Sequence, residues 1–201
     1  TPNASYYKGS LTTIDTYSWN YKNNTSINDE LGSNEWSTSL FNKTNLNINY
    51  LNKIGTTWSN LIEDTTWKVS GHTTVEVTPK AMYTAEITNA TKTYGPENGT
   101  SKIGLMYVSD YGYAAAPSAW TTELYHYRNS SIKSVNWMYM GLVEWTITPY
   151  SSRRYYVFYL GTDGELGYDG SASYGNGVRP VLYLKASALY AGGSGTKASP
   201  I

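Results

Sequence analysis

The segment EWTITPYSSRRYYVFYLGTDGELGYDGSASYGNGVRPVLYL, from Glu144 to Leu184, decides how this chain is read. Trp145 to Thr148 alternates apolar and polar residues, the pattern of a half-buried strand. Tyr155 to Leu160 is an aromatic and β-branched run closed by Gly161 and Gly164, a second strand. Val178 to Leu184 is a third. Pro180 places it at an edge or a bulge, because proline has no N–H for the ladder. The loops between, Pro149 to Arg154 and Gly161 to Gly177, are rich in Tyr, Ser, Gly, Asp and Arg. That is the chemistry of a recognition surface, where tyrosine supplies contact area at low entropy cost. Ordinary hairpin loops explain the same composition equally well.

Outward from this segment, Ile103 to Asp110 reads as a strong strand, and Thr16 to Tyr21, Trp67 to Val69 and Thr73 to Val77 as shorter ones. A helix capped by Ser33 or Asn34 begins near Glu35. Asn45 to Ile54 has one apolar face and stops at Gly55. Thr56 or Thr57 opens another, with Trp58, Leu61 and Ile62 on one side. Lys80 to Ile87 reads as a short helix within a polar excursion. Trp36, Trp58 and Trp67 are expected as core anchors, and Trp137 with Met138 in another buried patch. The whole forms a single domain, with its core from about 17 to 185 and a C-terminal tail from 186 to 201.

Composition bounds the function. The 201 residues carry a formal net charge of +0 and only 15% charged side chains, so there is no electrostatic case for nucleic acid. No run approaches the length of a membrane span, so no membrane insertion is expected. The 21 Tyr and 7 Trp against 2 Phe require many partners for phenol and indole donors, which favours an irregular fold. The absence of cysteine excludes disulfides, thiolate metal sites and a cysteine nucleophile. A chain so rich in Asn, Thr, Ser, Tyr and Gly fits an extracellular protein of a bacterial cell surface or a phage particle.

Catalytic motifs are missing. Asp163, Glu165 and Asp169 do not meet the spacing of a calcium loop. His72 and His126 stand too far apart to be metal ligands by motif. No Gly-x-Ser-x-Gly elbow is present. Glu123, Glu144, Asp110 and Asp163 are acids available to a glycosidase, but no spacing distinguishes them. No cofactor and no metal are expected. Arg179 reads as structural, paired with Glu144. Arg153 and Arg154, beside Tyr155 and Tyr156, read either as ligand contacts or as a solvated loop pair.

Five segments together carry a resemblance. They are the helices and tryptophans from Trp36 to Trp67, Ile103-Gly-Leu-Met-Tyr-Val-Ser-Asp-Tyr-Gly-Tyr113, Trp137-Met-Tyr-Met-Gly141, Glu144-Trp-Thr-Ile147, and Gly177-Val-Arg-Pro-Val-Leu-Tyr-Leu-Lys185. From about Tyr17 to Lys185 the chain resembles surface and phage proteins of Gram-positive gut bacteria. Those look like the formylglycine-generating-enzyme branch of the C-type-lectin-like fold. The resemblance implies an α+β domain with a small twisted antiparallel sheet, short flanking helices and much irregular loop. It does not imply the enzyme, whose chemistry uses cysteines. The Glu-Pro-Asn, Gln-Pro-Asp and Trp-Asn-Asp motifs of calcium-dependent sugar binding are also missing. In retroelement-diversified binders of similar fold, variable residues lie near the C-terminal end and are typically Tyr, Asn, Ser, Asp, Gly and Arg. Tyr150, Ser151, Ser152, Arg153, Arg154, Tyr155, Asp163, Tyr168, Asp169 and Tyr174 match that chemistry and place.

Three classes of function follow. The first is a non-enzymatic adhesion or receptor-binding domain whose partner is a protein or glycan on another cell surface. The second is a carbohydrate-active surface hydrolase. The third is a structural pilus or tail subunit.

Overall fold

The computed structural model describes residues 18–20, 33–39, 41–90, 98–170, 175–188, 192 and 194. The architecture is mixed α+β, with short helices around small antiparallel sheets. Its centre is a three-stranded meander of β4 (Glu144–Pro149), β5 (Tyr156–Leu160) and β6 (Leu166–Gly170). Two smaller antiparallel pairs join β1 (Thr65–Lys68) to β2 (Asn98–Ser101) and β3 (Ile103–Leu105) to β7 (Pro180–Leu182).

Alternation along β4 and β5 divides the interior in two. Trp145, Ile147 and Val157 face one core, with Trp19, Trp36, Trp67, Ile103 and Leu105. Phe158, Leu160 and Leu166 face the other, with Met82, Val108, Tyr111, Leu124 and Tyr127. Strand β4 is therefore buried along its whole length, not half-buried as its alternation predicts. Its threonines are compatible with this because their hydroxyls are bonded. Thr146 Oγ1 donates to the Phe158 carbonyl at 2.8 Å, and Thr148 Oγ1 to Glu86. Between Trp145 and Pro149 the ladder to β5 loses register, a bulge that carries the chain into the following loop.

The edge of β3 is closed by a side chain. Asn47 accepts the Ile103 N–H at 2.8 Å and donates to the Ile103 carbonyl at 3.0 Å. It sits on a wide helical segment with i→i+5 bonding, Phe41–Tyr50, which runs into α1 (Leu51–Ile54). Gly55, at φ 83°, breaks the helix before α2 (Thr56–Ser59). Helix α3 (Pro79–Tyr83) is capped by Thr78 and continues through a wider turn, Thr84–Thr88. Helices α4 (Val108–Tyr113) and α5 (Ser130–Lys133) follow later in the chain.

Several sequence expectations change. The strand predicted from Ile103 to Asp110 ends at Leu105, because the Asp110 carboxylate accepts the Tyr107 N–H and Glu86 accepts the next two, which starts α4. Thr73 to Val77 is not a strand. Its Val75 and Val77 carbonyls instead accept N–H groups from Tyr125 and Leu124. Trp36 and Trp67 are core anchors at 1% exposure, but Trp58 is 65% exposed, while Ile62, bridged to Leu184, is the buried residue of that segment. Trp137 is 79% exposed. Its N–H is held by the Ala114 carbonyl between buried Asn136 and Met138, so its ring projects outward. Neither Ser33 nor Asn34 caps a helix; Glu35 precedes the short turn Trp36–Thr38 without a side-chain cap. The strand predicted from Thr16 to Tyr21 is described only at residues 18–20, and the tail from 186 falls largely outside the described residues.

Candidate functional site

The site grows out of one face of the β5–β6 hairpin. Tyr156, Phe158 and Leu160 alternate onto that face, and the register sets Tyr168 opposite Phe158. Leu160 and Leu166 are core, so the face passes from aliphatic interior to aromatic surface along the hairpin. Tyr150 bridges the transition. Its ring lies 5.4 Å from Phe158 and 4.6 Å from Tyr168, and Tyr156 lies 5.2 Å from Tyr168. Tyr155 packs edge-on against Tyr156 at 4.6 Å. Rings at these separations, tilted or perpendicular, hold one another in place. Tyr168 is the outer member at 43% exposure.

The loop beside these rings is tied from behind. Its own bonds run from Tyr150 N–H to the Tyr156 carbonyl at 3.0 Å and from Arg153 N–H to the Tyr150 carbonyl at 3.2 Å. Asn34, 1% exposed, then reaches in from a distant part of the chain. Its Nδ2 group donates to the carbonyls of Arg153 at 2.6 Å, Tyr156 at 3.0 Å and Tyr150 at 3.3 Å. Its backbone N–H donates to the Arg154 carbonyl at 2.6 Å. On another side Ser151 N–H donates to the His72 carbonyl at 3.1 Å. Residue 71 must be glycine for this contact, since a Cβ there would lie 2.2 Å from the Pro149 carbonyl oxygen. With its backbone so occupied, the loop presents Ser152 and Arg153 to solvent, with Arg154 half-buried.

Of the residues the sequence proposed, Tyr150, Ser152, Arg153, Arg154, Tyr155, Tyr168 and Asp169 are brought to this end of the hairpin. Asp169 gives its Oδ1 to the Gly170 N–H at 2.7 Å, and burial raises its carboxyl above the ordinary range. Two others are placed apart from it. Ser151 is 8% exposed and serves the framework through its N–H. Asp163 lies in the turn at the opposite end, four strand positions away or roughly 13 Å. There its carboxylate accepts the Glu165 N–H, while Tyr111 and Tyr139 donate to the Gly164 and Thr162 carbonyls. Tyr174 lies outside the described residues. Sequence reasoning missed Tyr156 and Asn34 as site components. Strand alternation contains the signal for Tyr156, which shares parity with Phe158; nothing local marks Asn34.

Three of the four acids considered for hydrolysis are bonded within the framework. Glu144 is held by Arg179, Asp110 caps α4, Asp163 shapes its turn, and exposed Glu123 lies 3.7 Å from His126. Among the described residues no group of three or more His, Asp or Glu is placed to hold a metal ion, and no helix is long and apolar enough to cross a membrane. A separate apolar groove of about 510 Å³ is lined by Ile54, Trp58, Ile62, Leu182 and Leu184.

Comparison of the chain with protein-family models, curated proteins and solved structures finds no match.

Proposed function

We propose that this chain is a non-enzymatic recognition domain, presented on a bacterial cell surface or phage particle. It would bind a protein or glycan on another surface through Tyr150, Ser152, Arg153, Tyr155, Tyr156 and Tyr168. One observation carries the reading: a tyrosine cluster rooted on core Phe158 stands beside an Arg-bearing loop whose backbone is fastened by Asn34 and His72. Rings already immobilised lose little entropy on binding. A half-exposed tyrosine beside arginine is the composition of interface hot spots. The engagement of Glu144, Asp110 and Asp163 in the framework favours this reading over a hydrolase.

In its finer form the domain belongs to the C-type-lectin-like group and its loop is a diversified surface. Deep sequencing of the locus in its source population tests that form. Substitutions should concentrate at Tyr150, Ser152, Arg153, Tyr155 and Tyr168, while Trp145, Val157 and Arg179 stay constant. Scattered substitution would remove the diversified form.

The recognition role is tested with variants on a glycan array and a panel of intact bacterial cells. Arg153→Ala is expected to unfold within about 0.5 kcal/mol of the parent, as surface substitutions do, whereas Tyr168→Ala, which loses two ring contacts, is expected to cost about 1–2 kcal/mol and leave the domain folded. Each is expected to weaken any array or cell signal by about tenfold or more. Binding that survives both substitutions would move the site away from this cluster.

A further inference from the structure

We propose that Glu86 is a proton-operated latch beneath the recognition loop, seating the loop more firmly when protonated than when ionised. This regulation rests on the recognition reading for its purpose, but not for its test. Glu86 is 0% exposed. Its carboxyl group joins three elements. Oε1 accepts the Val108 N–H at 3.0 Å, Oε2 accepts the Ser109 N–H at 3.3 Å, and Oε1 also meets the Thr148 hydroxyl at 2.5 Å. Val108 and Ser109 open α4, Glu86 lies on the turn after α3, and Thr148 sits near the end of β4. Thr148 also accepts the Val108 N–H at 3.2 Å. Pro149 and Tyr150 follow it directly, so the carboxyl group lies at the root of the loop.

No Lys, Arg or His is paired with Glu86 among the described residues. The ionisable groups facing it from the packed elements are Asp110 of α4 and the Tyr107 phenol, neither of which offers a positive charge. Lys68 of β1 spends its ammonium on the Ile87 carbonyl at 2.6 Å. Ionising Glu86 therefore places an unpaired charge in the interior, relieved only by N–H and hydroxyl dipoles. Burial, chiefly, pushes its carboxyl up to about 7 from an ordinary 4.5, against the opposing pull of Ser109 and Thr148.

A raised folded value means that the folded state binds the extra proton. The stabilisation is complete below about pH 4.5 and is lost as pH rises through about 7. The strain on ionisation is relieved by opening the junction of α4 and β4 to water, and the loop attached to β4 loosens with it. His72, whose backbone carbonyl accepts the Ser151 N–H, acts in the opposite sense. Its ring is held below the usual value by burial, so charging it at low pH would loosen the loop on acidification. The direction of the response thus distinguishes the two groups.

The test is amide hydrogen exchange of the intact chain at pH 6.0 and pH 8.0, corrected for intrinsic rates, alongside carbon NMR titration of the glutamates. In the parent, exchange across residues 145–157 should be at least about fivefold faster at pH 8.0, with the Glu86 carboxyl titrating near neutrality. Glu86→Gln should reduce that difference to less than twofold. Thr148→Val keeps the buried carboxyl but removes its link to β4, so α4 amides should still respond while the loop does not. A pH-independent parent loop, a loop that loosens on acidification, or an unchanged response in Glu86→Gln would each overturn the latch. None of these outcomes depends on a ligand, so the latch can fail while recognition by the tyrosine cluster stands. Loss of the cluster's binding role would likewise leave the exchange result intact.

Discussion

Arg179→Ala is expected to destabilise the domain by about 3–5 kcal/mol, the scale for stripping one partner from a buried ion pair. Arg179 grips Glu144 with two nitrogens, Nε at 3.2 Å and Nη2 in closer contact, and Nη2 also donates to the Met138 carbonyl at 2.9 Å. The Glu144 side chain is only 6% exposed, so without the guanidinium its charge has neither water nor a counter-ion. The same arginine ties β4 to the segment leading into β7 and to the Trp137 loop, so three parts of the chain lose a common anchor. For a domain of this length the loss should lower Tm by roughly 10 °C, measurable by differential scanning calorimetry. Arg179→Lys should fall between, because an ammonium group cannot reproduce the fork. Combining Arg179→Met with Glu144→Leu should cost less than Arg179→Ala alone, since no charge is left buried. If Arg179→Ala unfolds within 2 °C of the parent, the pair is not a structural anchor and Arg179 becomes available for ligand binding.

Asn34→Ala should cost about 2–3 kcal/mol, on the basis of about 1 kcal/mol for each lost hydrogen bond and more where a buried carbonyl is left unpaired. The three carbonyls that share its amide, at Tyr150, Arg153 and Tyr156, belong to the loop that carries the candidate site. The damage should therefore be local as well as global. Near-UV circular dichroism of the tyrosine cluster should weaken, and exchange of the 150–156 amides should rise before the remainder of the domain opens. Asn34→Asp is the sharper test. It is nearly isosteric, yet it turns a donor into an oxygen facing three carbonyl oxygens, and it should be worse than alanine at neutral pH. Urea denaturation of the two variants decides it. Asp tolerated as well as Ala would mean that the amide is not what holds the loop.

These variants also mark where sequence reasoning succeeds and where it stops. The pairing of Arg179 with Glu144 was readable because both flank strands in one short segment and a buried guanidinium needs an acid. The strands β4 and β5 were readable from alternation and from the glycines that close them. The short helix predicted over Lys80 to Ile87 is present as Pro79–Tyr83 and the wider turn Thr84–Thr88. By contrast, Ile103 to Asp110 has the composition of one strand, but Glu86 and Asp110 divert its N–H groups and start a helix. Trp58 and Trp137 have side chains as apolar as those of Trp36 and Trp67. Which of them is buried depends on what packs against each, and composition does not contain that.

For this protein, sequence alone determined the class of surface: uncharged overall, free of cysteine, dense in tyrosine, with strands and polar loops toward the C-terminal end. Local periodicity and backbone restriction suffice for that, because they act over a few residues. Only the tertiary structure decided that Tyr150, Tyr155, Tyr156 and Tyr168 form one cluster, that Asp163 lies at the other end of the hairpin and that Ser151 is framework. Those outcomes depend on strand register and on hydrogen bonds from Asn34 and His72. These are contacts between residues distant in sequence, and they form only when the whole chain closes around its two cores.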